Sequence, residues 1–164
     1  MKAIKRGGVR FKNSTLDYGL IARLLHWCSV TLLLSVLYLA GQIELEGEVI
    51  QRLVLVDQHS LMGLGLLALM LLRFSWRQVN VNPVKSYSLH PLQKMAAITL
   101  HRGIYALIIV QCLLGVYLWI CSPGDLSAAV IAHDVMNDLV YIILLIHISA
   151  ALYHQVFGVV SSKP

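Results

Sequence analysis

The chain has 164 residues, 58% of them hydrophobic and 13% charged, with a net charge of +5 and a mean hydropathy of +0.74. A water-soluble domain carries charge on about a quarter of its positions, so this chain lacks the polar residues to cover a globule. That excludes a disordered chain and argues against a soluble enzyme, and nothing in the composition calls for nucleic acid. A transmembrane helix takes ~20 apolar residues, so four helices with short connections use nearly the whole chain and leave no room for a second domain.

In chain order, residues 1–18 form a basic segment, residues 19–160 a membrane domain and residues 161–164 a short tail. Within the membrane domain the apolar runs are Gly19 to Gly41, Val54 to Phe74, Met95 to Cys121 and Ala132 to Val160. Lipid offers the backbone no hydrogen-bond partner, and no run alternates as a barrel strand does, so each run is expected to be a helix. The connections are Gln42 to Leu53, Ser75 to Lys94 and Ser122 to Ile131, marked by clustered Glu, by Asn82-Pro83 and His90-Pro91, and by Ser122-Pro123-Gly124. A cleaved signal peptide ending near Leu39-Ala40-Gly41 is disfavoured, because the apolar run is longer than a usual signal core and carries His26.

Orientation follows from the cations. Lys2, Lys5, Arg6, Arg10, Lys12 and Arg23 precede or open the first span, Arg73, Arg77, Lys85, Lys94 and Arg102 surround the second connection, and Lys163 follows the fourth span. Twelve of the 13 cations thus fall on one side and Arg52 alone on the other, which places both termini in the cytoplasm. Seven of the acids, Glu44, Glu46, Glu48, Asp57, Asp125, Asp134 and Asp138, share the side of Arg52, a formal −6 there. The expected fold is all-α: a transmembrane four-helix bundle.

Of seven histidines, at 26, 59, 90, 101, 133, 147 and 154, only His90 lies in a clearly polar stretch. Ionisable groups inside an apolar span are functional candidates by default. His133 and His147 are 14 residues apart, close to four turns, so one helix shows imidazoles on nearly one face at two depths ~21 Å apart. His154 continues that stripe. Counting from the span ends puts His59 level with His133, and His26 level with His147, with His101 at a similar depth to the latter pair. Facing imidazoles at two levels suit two bis-histidine haems held between helices, with iron ligated from both faces. Structural zinc fits less well, since it wants four ligands at one point; the three cysteines, Cys28, Cys112 and Cys121, form no CxxC pair. His101 and His154 also fit a simple hydrogen bond to a neighbour or a reach toward lipid headgroups.

These strings resemble the bacterial cytochrome b561 family, four-helix dihaem membrane cytochromes akin to the cytochrome b subunits of formate dehydrogenases and nickel-iron hydrogenases. The matching residues are Leu25-His26-Trp27; Asp57 to Gly63 running on to Leu72-Arg73-Phe74-Ser75-Trp76-Arg77; His101 with Tyr105 and Gly115; and His133 to Tyr141 with His147 and His154. The resemblance implies two haem b groups ligated by His26 with His147 and by His59 with His133. His101 or His154 could replace a partner. Where the family often has a proline shortly before the glycine of the third span, this chain has Gln111 and Cys112, a change expected to straighten the helix.

The resemblance further implies a multi-pass cytochrome of the bacterial inner membrane that moves single electrons between the quinone pool and a periplasmic donor or acceptor. Some family members oxidise superoxide and reduce ubiquinone, although the acidic outer side here would repel an anion. Arg73, His101, Arg102 and His154 are the candidate contacts for a quinone or for haem propionates, with Arg23 and Arg52 as further propionate candidates. The alternative is a haem-bearing membrane anchor for a redox partner; a proton or metal transporter leaves the two-level pairing unexplained.

Overall fold

A computed structural model describes residues 10–15, 17–81, 83, 91–121 and 127–157, with the side chains of Pro91, Lys94, Ser127, His154, Val156 and Phe157 outside that description. It contains four helices, α1 (Leu20–Leu45), α2 (Val49–Val79), α3 (Pro91–Cys121) and α4 (Ser127–Phe157), and no strand among the described residues. Each is long and apolar enough to cross a membrane, so the all-α class with four spans is as expected. The chain divides into two compact units, Met1–Ser88 and Leu89–Pro164. The first is the hairpin of α1 and α2, the second that of α3 and α4.

The helices overrun the apolar runs that announced them. The expected connection from Gln42 to Leu53 shrinks to Glu46, Gly47 and Glu48, since α1 continues to Leu45 and α2 starts at Val49. Likewise α2 runs on to Val79, α3 opens at Pro91 and α4 at Ser127. A helix satisfies its own backbone in the headgroup region as well as in hydrocarbon, so the polar residues that end an apolar run need not end the helix. A 31-residue helix is ~46 Å long, well beyond the ~30 Å hydrocarbon core. Pro91 can open α3 because its missing N–H falls where a helix has no partner for one. His59 consequently lies ten residues into α2, not just inside its end. The turn at Ser122-Pro123-Gly124, together with Lys2, Lys5, Arg6, Lys85, His90, Asp125 and Lys163, falls outside the described residues.

In the first hairpin the interior is a helical stripe of α1, Ser29, Leu33, Val36 and Leu37, together with Leu66, Leu67 and Met70 of α2, of which Leu66 is 1% exposed. The Ser29 hydroxyl is committed to the Leu25 carbonyl at 2.7 Å, which lets a small polar residue be buried here. In the second hairpin Tyr105, Ile108 and Cys112 of α3 and Val140 of α4 are buried. Most other large apolar side chains stay exposed on the protein alone, Trp27 at 64% and Leu145 at 69% for example. That much apolar exposure marks a surface whose solvent is lipid.

The end of the first hairpin away from its turn is closed by the chain ahead of α1. Leu20 and Ile21 donate their N–H groups to the carbonyls of Arg10 and Phe11 at 2.8 and 3.3 Å, satisfying helix-start donors that no side chain caps. Asn13 ties this strap at both ends: its Oδ1 accepts from Gly19 N at 3.0 Å and its Nδ2 donates to the carbonyl of Val81, just past α2, at 2.9 Å. Gly19 is required, because a Cβ there would overlap the carbonyls of Phe11 and Lys12. Arg10, Lys12, Arg23, Arg73 and Arg77 therefore gather at one end of this hairpin, while Glu44, Glu46 and Glu48 stand at its turn. Replacing Asn13 by Ala removes two hydrogen bonds worth ~1 kcal/mol each. The expected outcome is faster trypsin cleavage after Arg10 and Lys12 in the purified protein and a lower thermal midpoint, with the helix content unchanged by circular dichroism.

Candidate functional site

Five of the candidate histidines have described side chains, and all five, His26, His59, His101, His133 and His147, are half-buried on the protein alone. An imidazole in a helix that points wholly to lipid would be fully exposed, and one packed as core would be closed off. Half-burial is neither of these.

In the first hairpin His26 lies in the second turn of α1, its ring tilted against that of Trp27 at a centroid distance of 5.4 Å. His59 reaches across to α1 and donates Nδ1–H to the Val36 carbonyl at 3.1 Å. A carbonyl can only accept, so this bond sets the tautomer and leaves Nε2 with its lone pair. Val36 is ten residues beyond His26, ~15 Å along the axis. Side chains lean toward the N-terminus of their own helix, so in this antiparallel pair His26 and His59 lean apart and their rings are further separated than that. The first hairpin thus carries one imidazole at each of two depths.

The second hairpin also has its contacts at two depths. His101 of α3 meets His147 of α4 edge-on, with ring centroids 5.2 Å apart at 90°. Fourteen residues further along α3 is Gly115, and fourteen residues back along α4 is His133. A Cβ on residue 115 would lie 3.1 Å from His133 Cε1. A single antiparallel register brings both couples together, about four turns apart. Gly115 matters because any side chain there would crowd the ring of His133. One turn before it, Gln111 donates Nε2–H to the His133 carbonyl at 3.0 Å. α3 runs unbroken through Gln111, Cys112 and Gly115, in keeping with the absence of a proline.

His101 also donates Nδ1–H to a carbonyl, that of Ala97 at 2.7 Å, so its Nε2 likewise keeps the lone pair. Its ring meets that of His147 on the same hairpin. His26 and His59 do not meet each other, since they stand at different depths. Arg73 is half-buried and Arg102 exposed; the side chain of His154, on the last turn of α4, lies outside the described residues. Val36 and Gln111 were missed as contributors from sequence. The first acts through its main chain, which leaves no signal; the second had one, a carboxamide inside an apolar run.

Among the described residues no three His, Cys, Asp or Glu side chains converge as they would around a zinc ion, whereas a bis-histidine iron draws one ring from each face of a planar group. The residues present fit such a group: His59 holds the tautomer that metal ligation demands through a carbonyl bond of the kind that orients metal-ligating histidines, and Gly115 supplies a cradle for the ring of His133.

Membrane-spanning helices with half-buried imidazoles at two depths suit one class of protein, the integral membrane cytochromes. The family model for prokaryotic cytochrome b561 matches residues 17–162, and the chain belongs to that family. A search among curated proteins and another among solved structures each found no match. Family membership makes this a multi-pass membrane protein of electron transfer that binds b-type haem.

If Gly115 is the seat of the His133 ring, Gly115→Val should lower the haem bound per chain, and Gly115→Ala, which asks the ring to give by a few tenths of an ångström, should lower it less. Gly41→Ala, at a position where a Cβ meets nothing within 4 Å, should leave it unchanged. A pyridine haemochrome assay on the purified variants checks all three.

Proposed function

We propose that the protein is a dihaem cytochrome b of the bacterial inner membrane, both termini cytoplasmic, that passes single electrons between the quinone pool and a partner at the periplasmic face. The observation that carries this reading is the repeated two-level placement of imidazoles, His26 and His59 on one hairpin, His133 and His147 on the other. When bound, haem iron supplies one-electron redox chemistry. The chain's own contribution is to hold ring nitrogens at two depths, fix the tautomer of His59 through the Val36 carbonyl and exclude water with apolar helices. The proposed ligand pairs are His26 with His147 and His59 with His133, each taking one histidine from each hairpin. α4 is the helix with a ligand at both levels, because at the His133 level α3 offers Gly115 and not a second imidazole. His101 then stands beside His147 as a neighbour.

The expected stoichiometry is two haems per chain by pyridine haemochrome. His26→Ala and His147→Ala should each deplete one and the same haem, and His59→Ala and His133→Ala the other, as read from the midpoint potential of the haem that remains. One haem per chain in protein made with adequate haem supply sinks the dihaem reading; loss of the same haem from His59→Ala and His147→Ala overturns the pairing.

For the quinone, donors from among Arg73, His101, Arg102 and His154 are proposed at the cytoplasmic side, where the guanidinium and imidazole N–H groups can hold the carbonyls of a headgroup. His101→Ala with its full haem complement should slow haem oxidation by a soluble quinone at least several-fold in stopped-flow measurements, and an unchanged rate removes His101 from the site. Absence of any quinone-linked turnover in the parent protein would favour the membrane-anchor alternative. At the other face the acids support a cationic partner over an anion such as superoxide. Glu46 there has a second task, since its Oε1 accepts the N–H of Glu48 at 2.9 Å and closes the turn between α1 and α2.

A further inference from the structure

Gln111 is a polar side chain that neither the histidine array nor the charge pattern uses. It stands inside the apolar run of α3, next to Val110, Cys112 and Leu113, where a hydrocarbon side chain would avoid the desolvation of a carboxamide. Its Nε2 is engaged by the His133 carbonyl at 3.0 Å, and its Oε1 is buried with no hydrogen-bond partner among the described residues. The ring of the same histidine has its Cε1 edge at Gly115, the next turn of α3. α3 therefore holds residue 133 at two points, the main chain through Gln111 and the ring through the gap at Gly115.

A histidine that gives one ring nitrogen to a metal donates its other N–H to an acceptor, which sets the ring rotation and makes the ligand more electron-rich. The two heteroatoms of a carboxamide share one carbon, so the bond from Nε2 keeps Oε1 within a few ångströms of the His133 main chain, from where a change of side-chain rotamer brings it to the ring. The geometry points to Gln111 as the positioning residue for His133: Nε2 sets where α4 stands at the ligand, and Oε1 receives the imidazole N–H in the haem-loaded protein. The inference rests on the reading of His133 as a haem ligand and extends it to a residue that departs from the pattern of the resembling family. A ligand deprived of its acceptor gives less electron density to iron and favours the reduced form, so loss of Gln111 raises the midpoint potential of the haem at His133 and leaves the other where it was.

The test uses the full chain with haem bound, purified in detergent, as the parent and as Gln111→Met, which keeps the volume and removes both hydrogen-bonding atoms. Gln111→Leu serves as a second apolar replacement. Redox titration should show one of the two midpoint potentials raised in both variants, and low-spin electron paramagnetic resonance should show one of two haem signals shifted; selective loss of that one haem supports the inference equally. Potentials and signals identical to the parent, or both haems changed alike, overturn it. His133→Ala run in parallel separates the two ideas. If it loses no haem, the ligand reading itself falls and any effect at Gln111 has another origin; if it loses one haem and Gln111→Met moves neither signal, the ligand stands and the positioning role falls.

Discussion

Inside hydrocarbon every backbone N–H and C=O must find its partner within the chain, and the helices of this protein meet that demand over almost their whole length. A helix N–H is used up by its one bond, but a carbonyl oxygen has two lone pairs and keeps one in reserve. Five polar side chains of the helices use that reserve. His59 donates to Val36, His101 to Ala97 and Gln111 to His133, and Ser29 and Ser35 each return to the carbonyl four residues back. These bonds use no charged partner, and no described helix is broken to orient an imidazole.

Once an imidazole donates to a fixed carbonyl, its other nitrogen is committed to the role of acceptor or ligand. This matters more in a membrane than in water, because a histidine without such a bond could expose either nitrogen and would gain little from solvent. His59 obtains its acceptor from the neighbouring helix and His101 from its own, four residues away. The first arrangement couples the orientation of the ring to the packing of the hairpin. The second would survive in an isolated helix. A ring held by a neighbouring helix has its depth set by that helix too, which suits a ligand whose iron must lie at a defined level.

Small residues do the complementary work. Gly115 leaves the space into which the His133 ring fits, Ser29 lies in the interior of the first hairpin where only a small hydroxyl can be satisfied by its own helix, and Gly19 lets the strap of residues 10–15 approach the start of α1. Asn13 then joins that strap to the end of α2. These contacts depend on the absence of side-chain atoms or on one carboxamide reaching in two directions, and a substitution at any of them would change geometry more than polarity.

Much of this was legible in the amino-acid order alone. Apolar runs separated by polar turns require membrane helices because lipid permits little else, and the fourteen-residue interval between His133 and His147 requires two depths because the helix repeat is constant. The limits of the helices were not legible: Gln42 to Leu45 and Val49 to Leu53 read as a loop because polarity marks where hydrocarbon ends, not where hydrogen bonding ends. Nor could sequence alone say that His101 lies against His147 while the equivalent place on α3 beside His133 is an empty Cβ position. That depends on the register of two antiparallel helices, which packing decides. The carbonyl that sets the His59 tautomer belongs to a residue 23 positions away, and any side chain at position 36 would have supplied it. Only the approach of α2 to α1 selects that carbonyl, because a main-chain acceptor is chemically the same at every residue and is distinguished by position alone.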